Sequence, residues 1–359
     1  MGFRQGIDIK TSRPCEVSAA WHNRGRLAGQ RDEVTRWRPV YHRFQGRTMD
    51  KANIKYFDLL AARMAYAEGR NVTQVLREQK GLAANTPQII EIAYDLQAGT
   101  YIENARSNPT QLLNYVAEMA GIIDRYVDED DSLLDIGTGE ITTLSLLTTR
   151  LALKPRHIFA FDISWSRLYK GLEFAREVMA DGYETLVPFV ADISEIPLQD
   201  KSISVTISSH ALEPNGGALA ALLSELFRVT AHTLILFEPC YELNNDEGKQ
   251  RMDRLGYIKH MARTVEMLGG TLIEQIAIKN ISNPLNPTAG FVIIPPGGKT
   301  TARHYERATD RFSVPGTDLA LQKQDAVYHS DGTGLCFFEL KSIPVLTSRS
   351  AVLASALLD

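Results

Sequence analysis

The sequence predicts an α/β protein: a doubly wound, mostly parallel seven-stranded sheet, with a helical block before it and a small β-rich appendage after it. Three observations lead there. From residue 132 onward, apolar runs with strand character alternate with helical periods, a pattern that gives a parallel sheet covered on both faces. The first run, "SLLDIGTGEITTLSLL" at 132–147, passes through a glycine-bearing turn straight into a helix. The last two runs are joined by "NISNPLNPTAG" with no helix between them, which predicts an antiparallel pair at one sheet edge.

Four stretches divide the chain. Residues 1–48 carry nine Arg and one Lys against four acids, with little periodicity. They read as a basic, disordered arm or an upstream extension, because the regular pattern opens at Met49. Residues 49–130 have helical period and form a cap block of four helices. "ANIKYFDLLAARMAYAEG" is the first and "NVTQVLREQKG" the second, capped by Asn71 or Thr73 and stopped by Gly81. "NTPQIIEIAYDLQAGTYIENAR" is the third, opened by Thr86 and Pro87, and "NPTQLLNYVAEMAGIIDRYV" the fourth. Residues 131–297 form the ligand-binding domain, with strands at 132–137, 157–162, 185–190, 203–208, 233–238, 271–279 and 289–295. Its helices fall at 140–151, 165–181, 217–229 and 246–268. Residues 298–359 hold the short strands "DAVYHSD" and "GLCFFEL", then "IPVL" and a short helix in "SRSAVLASALL".

Bulk composition excludes several classes. The chain has 359 residues, 44% hydrophobic and 23% charged, enough for one large core with appendages. A net charge of −4 and a pI of about 6.1 disfavour a general nucleic-acid binder. No apolar run approaches the roughly 20 residues that span a bilayer, so no membrane partner is expected. Cys15, Cys240 and Cys336 lie far apart without metal or redox spacing and read as free thiols of a cytoplasmic protein. The eight His are scattered, and no metal site is expected.

The turn Asp135-Ile136-Gly137-Thr138-Gly139-Glu140-Ile141 raises the question of the ligand. A dinucleotide site wants a third glycine at the position of Thr142. The carboxylate of Asp135, just before the first glycine, would repel a pyrophosphate but suits a ligand with positive charge. The next strand ends in "FAFDIS", placing Asp162 and Ile163 where a carboxylate can accept two ribose hydroxyls. The third leads to "VADISEIPL", where Asp192 and Ile193 can meet an adenine amino group and ring. One such Asp is an ordinary strand-end cap, but three at successive strand ends make a ligand pattern.

With "LLDIGTGE", "FAFDIS", "VADISEIPL" and "ISVTISSHALEPNGG" together, the chain resembles the class I S-adenosylmethionine-dependent methyltransferases over roughly 130–297. The resemblance implies a Rossmann-like methyltransferase fold and S-adenosylmethionine as cofactor. It implies that Asp135, Gly137, Thr138 and Gly139 hold the methionine end, Asp162 and Ile163 the ribose, and Asp192 and Ile193 the adenine. Ile141 departs from it, since the family often has a third glycine there. "HALEPNGG", "ELFRV", "LILFEPCYE" and "RMDRLGYIKH", with "YDLQAGTY" and "NPLNPT", resemble an uncharacterised bacterial subgroup. "RFSVPGTDLAL" and "GLCFFELKSIPVL" resemble a degenerate form of the zinc-ribbon-like activator module of some methyltransferases, without its ligand cysteines.

The fourth strand ends in "SSHALEPNGG", so Ser209 and His210 reach the pocket mouth. His210 is the candidate base, with Glu213 and Asn215 to orient it or grip an acceptor. Glu238 and Tyr241 of "FEPCYE" could line the acceptor side. Tyr94, Gln97 and Tyr101 share helical spacing in the cap block, Tyr94 and Gln97 toward the acceptor and Tyr101 toward the sulfonium. Each of these has a bland alternative as a helix cap or packing residue. The expected activity is methyl transfer to a small polar acceptor such as a sugar, nucleotide sugar or metabolite intermediate, to oxygen rather than nitrogen. An RNA or protein methyltransferase, a non-catalytic cofactor-binding scaffold and a nicotinamide-dependent dehydrogenase are the alternatives. A homo-oligomer is left open.

Overall fold

The computed structural model describes residues 53–54, 57–82 and 85–358. The arm at 1–48 and Cys15 lie outside them. The chain forms two compact units, Met1–Leu82 and Ala83–Asp359.

The first unit holds a short antiparallel hairpin, β1 (Asn53–Ile54) and β2 (Phe57–Asp58), then α1 (Leu59–Ala67) and α2 (Val72–Lys80). The single helix expected from Ala52 therefore begins late. Asp58 turns out of the hairpin and caps α1, its carboxylate accepting from Ala61 N at 3.0 Å. Asn71 caps α2, and Gly81 ends it with φ 62°.

The second unit begins with α3 (Pro87–Leu96), α4 (Thr100–Ser107) and α5 (Pro109–Ile123). The helix expected across Thr86–Arg106 is split because Gly99 takes φ 107°. The sheet follows: β3 (Ser132–Ile136), β4 (His157–Asp162), β5 (Leu186–Val190), β6 (Ile203–Ser209), β7 (Thr230–Pro239), β8 (Thr271–Ala277) and β9 (Thr288–Ile294). Its order is β5-β4-β3-β6-β7-β9-β8, parallel except for β9, which runs antiparallel to both β7 and β8. The expected edge hairpin is present, since the proline-bearing loop between β8 and β9 reverses the chain without a helix.

Side chains of β3 and β4 alternate between two cores. Leu134, Ile136, Phe159 and Phe161 face one cluster with α8 (Leu219–Val229). Leu133, Ile158 and Ala160 face the other, with α5, α6 (Thr142–Arg150) and α7 (Trp165–Met179). The helix expected at 246–268 is two: α9 (Asp246–Leu255) and α10 (Met261–Met267). Gly256 (φ 67°) and His260 (φ 59°) both turn left-handed between them.

The appendage carries β10 (Gln322–Gln324), β11 (Val327–His329), β12 (Leu335–Leu340), β13 (Ile343–Pro344) and β14 (Val352–Leu353). Instead of the short helix expected near the end, the chain makes two 3-10 turns around β14, Ser348–Ser350 and Ser355–Leu358. The appendage is sewn to the large sheet. Val345 bridges Val190 of β5 and Leu346 N donates to Val190 O at 2.9 Å. Phe312, Tyr328 and Phe337 enter the same core as Phe159 and Phe189.

Candidate functional site

The carboxyl ends of β3, β4, β5, β6 and β7 lie side by side, so the loops that follow them share one end of the sheet. The turn after β3 needs its glycines: Gly137 and Gly139 have φ 60° and 61°. A Cβ on Gly137 would lie 2.7 Å from Ala211 Cβ, which brings the loop after β6 against the turn. A Cβ on Gly139 would collide with the guanidinium of Arg167. Thr138 N donates to Phe161 O at 2.9 Å and ties the turn to β4. Ile141 holds the left-handed conformation (φ 56°), which shows why glycine suits that position.

Asp135 is 6% exposed and carries no ion pair among the described residues. Burial pushes its carboxyl up to about 7, against the neighbouring Thr138 hydroxyl, with the Asp162 charge adding to the rise. A cation placed there would restore its charge. Glu140, 1% exposed, reaches back to the cap helices. Its two oxygens accept from Gly99 N and Ile102 N, each at 2.9 Å, and cap the N-terminus of α4. That contact fixes the helix that carries Tyr101. Asp95, in the last turn of α3, ties that helix to the loop after β4, accepting from Ser164 Oγ at 3.1 Å.

Asp162 is 4% exposed and already engaged. Oδ2 accepts from Gly139 N and Oδ1 from Ser164 N, both at 2.9 Å, and Arg167 Nη1 lies 3.5 Å from Oδ2. The Arg167 guanidinium stands over the rings of Tyr94 and Tyr101, 5.0 and 4.7 Å from their centroids. Asp192 accepts from Ser194 N and Oγ at 3.0 and 2.7 Å, and Arg349 of the appendage lies 3.6 Å away while pairing with Glu91 of α3 at 2.9 Å. Ile163 and Ile193 are half-buried beside these acids. The sheet end thus brings together three strand-end acids, Asp135, Asp162 and Asp192, with two arginines, Arg167 and Arg349, that the sequence motifs do not mark.

Ser209 shares a hydrogen bond of 2.9 Å with the Tyr115 hydroxyl of α5. His210 takes φ 59°. Its Nδ1 lies 3.0 Å from Glu213 Oε2 and its Nε2 3.3 Å from Thr288 Oγ1. Burial opposes the charged imidazole, but the hydrogen bond and charge of Glu213, with Glu238 behind, leave its pKa above the ordinary value. Asn286 Nδ2 also donates to Glu213 Oε2, at 3.4 Å. Asn215 stays within its own loop, Nδ2 reaching Ala211 O at 3.5 Å. Glu238 is fully buried, and its Oε1 accepts from Ser208 Oγ, Ala211 N and Leu212 N at 2.8, 3.0 and 3.1 Å. It therefore shapes the loop that presents His210. Tyr241 contacts α9 and the segment after it, donating to Asp253 Oδ2 at 3.2 Å under Lys249 and Lys259. Gln97 ends α3, its backbone N donating to Tyr94 O.

Burial pushes the Glu238 carboxyl up to about 7, with His210 and the loop hydrogen bonds opposing the rise. A raised carboxyl confers stability that is complete below its ordinary value and lost as pH climbs through about 7. Glu238→Gln keeps the shape and the Oε1 acceptor without the charge. It is expected to match wild type near pH 4.5 and to exceed it by on the order of 2–3 kcal/mol at pH 8. Urea unfolding at both pH values checks this; equal stabilities at pH 8 count against it.

No family model and no curated protein sequence matches the chain. Solved structures do. The magnesium protoporphyrin IX methyltransferase of Synechocystis PCC 6803, with bound SAH, is 13% identical over 58% of this chain and 100% of that one, with a TM-score of 0.45. A chain from the Haloferax volcanii complex of the Trm112 methyltransferase activator with a methyltransferase is 15% identical over 57% and 97%, with a TM-score of 0.43. A SAM-dependent methyltransferase of Aquifex aeolicus is 15% identical over 52% and 93%, with a TM-score of 0.38.

Proposed function

We propose that this chain is an S-adenosylmethionine-dependent methyltransferase acting on a small polar acceptor. The observation that carries the reading is the placement of Asp135, Asp162 and Asp192 at or just beyond the carboxyl ends of three adjacent parallel strands, around a left-handed glycine turn. The strand order, with its one antiparallel member next to the edge, supports it. The residues present fit the cofactor. Asp135 is a buried carboxyl that lacks a cation, Asp162 can accept ribose hydroxyls once Arg167 gives way, and Tyr101 offers the aromatic face that Arg167 now covers. Bound there, S-adenosylmethionine supplies an activated methyl group on sulfonium.

The chain's own residues supply position and a proton acceptor. His210, aimed by Glu213 through Nδ1, leaves Nε2 beside Thr288 for the hydroxyl of an acceptor, which favours transfer to oxygen. Sugars, nucleotide sugars and metabolite intermediates all present such hydroxyls. Among the described residues no helix is long and apolar enough to cross a membrane, and a cytoplasmic enzyme is consistent with that. Because Glu213 holds the His210 pKa up, Glu213→Gln is expected to move the acid limb of the kcat/KM profile to lower pH and to reduce kcat. An unmoved limb in a full pH profile would remove His210 from the role of base.

Calorimetric titration with S-adenosylmethionine, S-adenosylhomocysteine and NADH tests the cofactor. Micromolar binding of the first two supports the reading, and binding of NADH alone ends it. One observation favours a second reading. Arg167 sits on Asp162 and over Gly139, so the same contacts suit a scaffold that fills its own cleft. Failure of wild type and of Arg167→Met to bind either methyl-cofactor form would select it.

A further inference from the structure

The opposite end of the sheet holds a polar cavity of about 90 Å³, room for several waters. It lies where β3, β4 and β6 begin, at Ser132, Arg156 and Ser204, and is lined on its other side by Ala302, Arg303, His304, Tyr305 and Arg311 of the appendage. Arg311 is 7% exposed, yet it forms no ion pair among the described residues. Nε donates to Ser202 O at 3.1 Å, and the rings of Phe159 and Tyr305 lie 5.4 and 4.8 Å from the guanidinium carbon. Nη1 is buried and has no partner. A buried guanidinium with an unused donor is costly unless an acceptor of negative charge completes it.

The surroundings add positive charge. Arg156 lines the same cavity and is exposed, and its charge, after burial, helps hold the Arg311 pKa below the usual range. Both guanidiniums also push His157, at the start of β4, below its ordinary value, behind the effect of burial. Arg303 is already matched by Asp318, at 3.0 Å from each of its two terminal nitrogens. Asp130 is the one carboxylate on the lining and forms no ion pair with Arg156 or Arg311. The Ser132 and Ser204 hydroxyls are turned to each other's backbone N, at 3.0 and 3.2 Å, which leaves the guanidiniums of Arg156 and Arg311 and the exposed carboxylate of Asp130 as the charged groups of the lining without an ion pair among the described residues.

We propose that this cavity is a binding site for a phosphate group, held between Arg311 and Arg156, at the end of the sheet remote from the methyl-transfer site. A tetrahedral oxyanion offers acceptors to both guanidiniums and fits the volume. Its source is either free phosphate or the terminal group of a small phosphomonoester, since the cavity is open beside the exposed Arg156 and His304.

The test is calorimetric titration of the full chain with inorganic phosphate and, separately, with glycerol 3-phosphate, at ionic strength fixed with sodium chloride. Arg156→Ala and Arg311→Met are compared with wild type, and thermal melting follows each. Binding of either probe at millimolar affinity or better, raising Tm and weakened at least about tenfold in Arg156→Ala, is the expected result. Binding of both identifies a site satisfied by free phosphate. Binding of glycerol 3-phosphate alone identifies a carried phosphate. Arg156→Ala changes an exposed side chain, so it decides the matter even if Arg311→Met does not fold. No response beyond chloride, or an undiminished response in Arg156→Ala, would overturn the proposal. None of these readouts depends on S-adenosylmethionine.

Discussion

Asp162→Ala is expected to abolish S-adenosylmethionine binding and to cost about 3–5 kcal/mol of stability. The two losses have separate causes. The carboxylate is the group proposed for the ribose hydroxyls, and hydrogen bonds to a charged group contribute about 1.5–3 kcal/mol each, so at least about a hundredfold in affinity goes with it. The stability loss comes from Arg167, which is 7% exposed and would be left buried without its anion, while Gly139 N and Ser164 N lose their acceptor. The double variant Asp162→Ala, Arg167→Met separates the effects. It should recover a large part of the stability by a double-mutant cycle while still failing to bind. Urea melts and calorimetry on the four proteins make the measurement. Wild-type affinity in Asp162→Ala would remove the ribose assignment.

Arg167→Met alone is expected to act in the other direction, tightening S-adenosylmethionine binding about tenfold, or about 1.4 kcal/mol. In the form described here the guanidinium is a tethered cation on the very carboxylate and aromatic faces proposed for the cofactor. Each cation–ring contact is worth about 0.5–2 kcal/mol and must be surrendered when a ligand enters. Methionine fills similar space without charge, and Asp162 keeps two backbone donors. Weaker binding in Arg167→Met would mean that the guanidinium holds the ligand instead of competing with it.

Much of the sheet could be read from sequence because its signals are local. Apolar runs between turn residues marked all seven strands, and a helix-free proline loop marked the antiparallel edge. The errors fall where a single backbone angle decides. Gly99, Gly256 and His260 break helices whose apolar period runs on through them. The Gly137–Gly139 turn, Asp162 and Asp192 were visible for the same local reason, as strand-end residues. Their partners were not. Glu140 caps a helix that starts 40 residues earlier, Arg167 looks like any arginine on an amphipathic helix, and Arg349 arrives from the appendage. Thr288 and Asn286 reach the His210–Glu213 pair from the far side of the β8–β9 loop. No spacing rule links positions that only the completed fold brings together.

The bridge between Val190 and Val345 has a consequence for handling the protein. β5 is the last strand on its side of the large sheet, and an uncovered final strand offers a row of open backbone groups to any neighbouring chain. Residues 345–346 cover the Val190 end of that row, while Phe312, Tyr328 and Phe337 plug the core beneath it. A shortened chain ending at residue 297 would therefore keep every proposed cofactor residue and still be prone to stick to itself strand against strand. Its low yield on expression would report a lost seam, and would carry no information about catalysis.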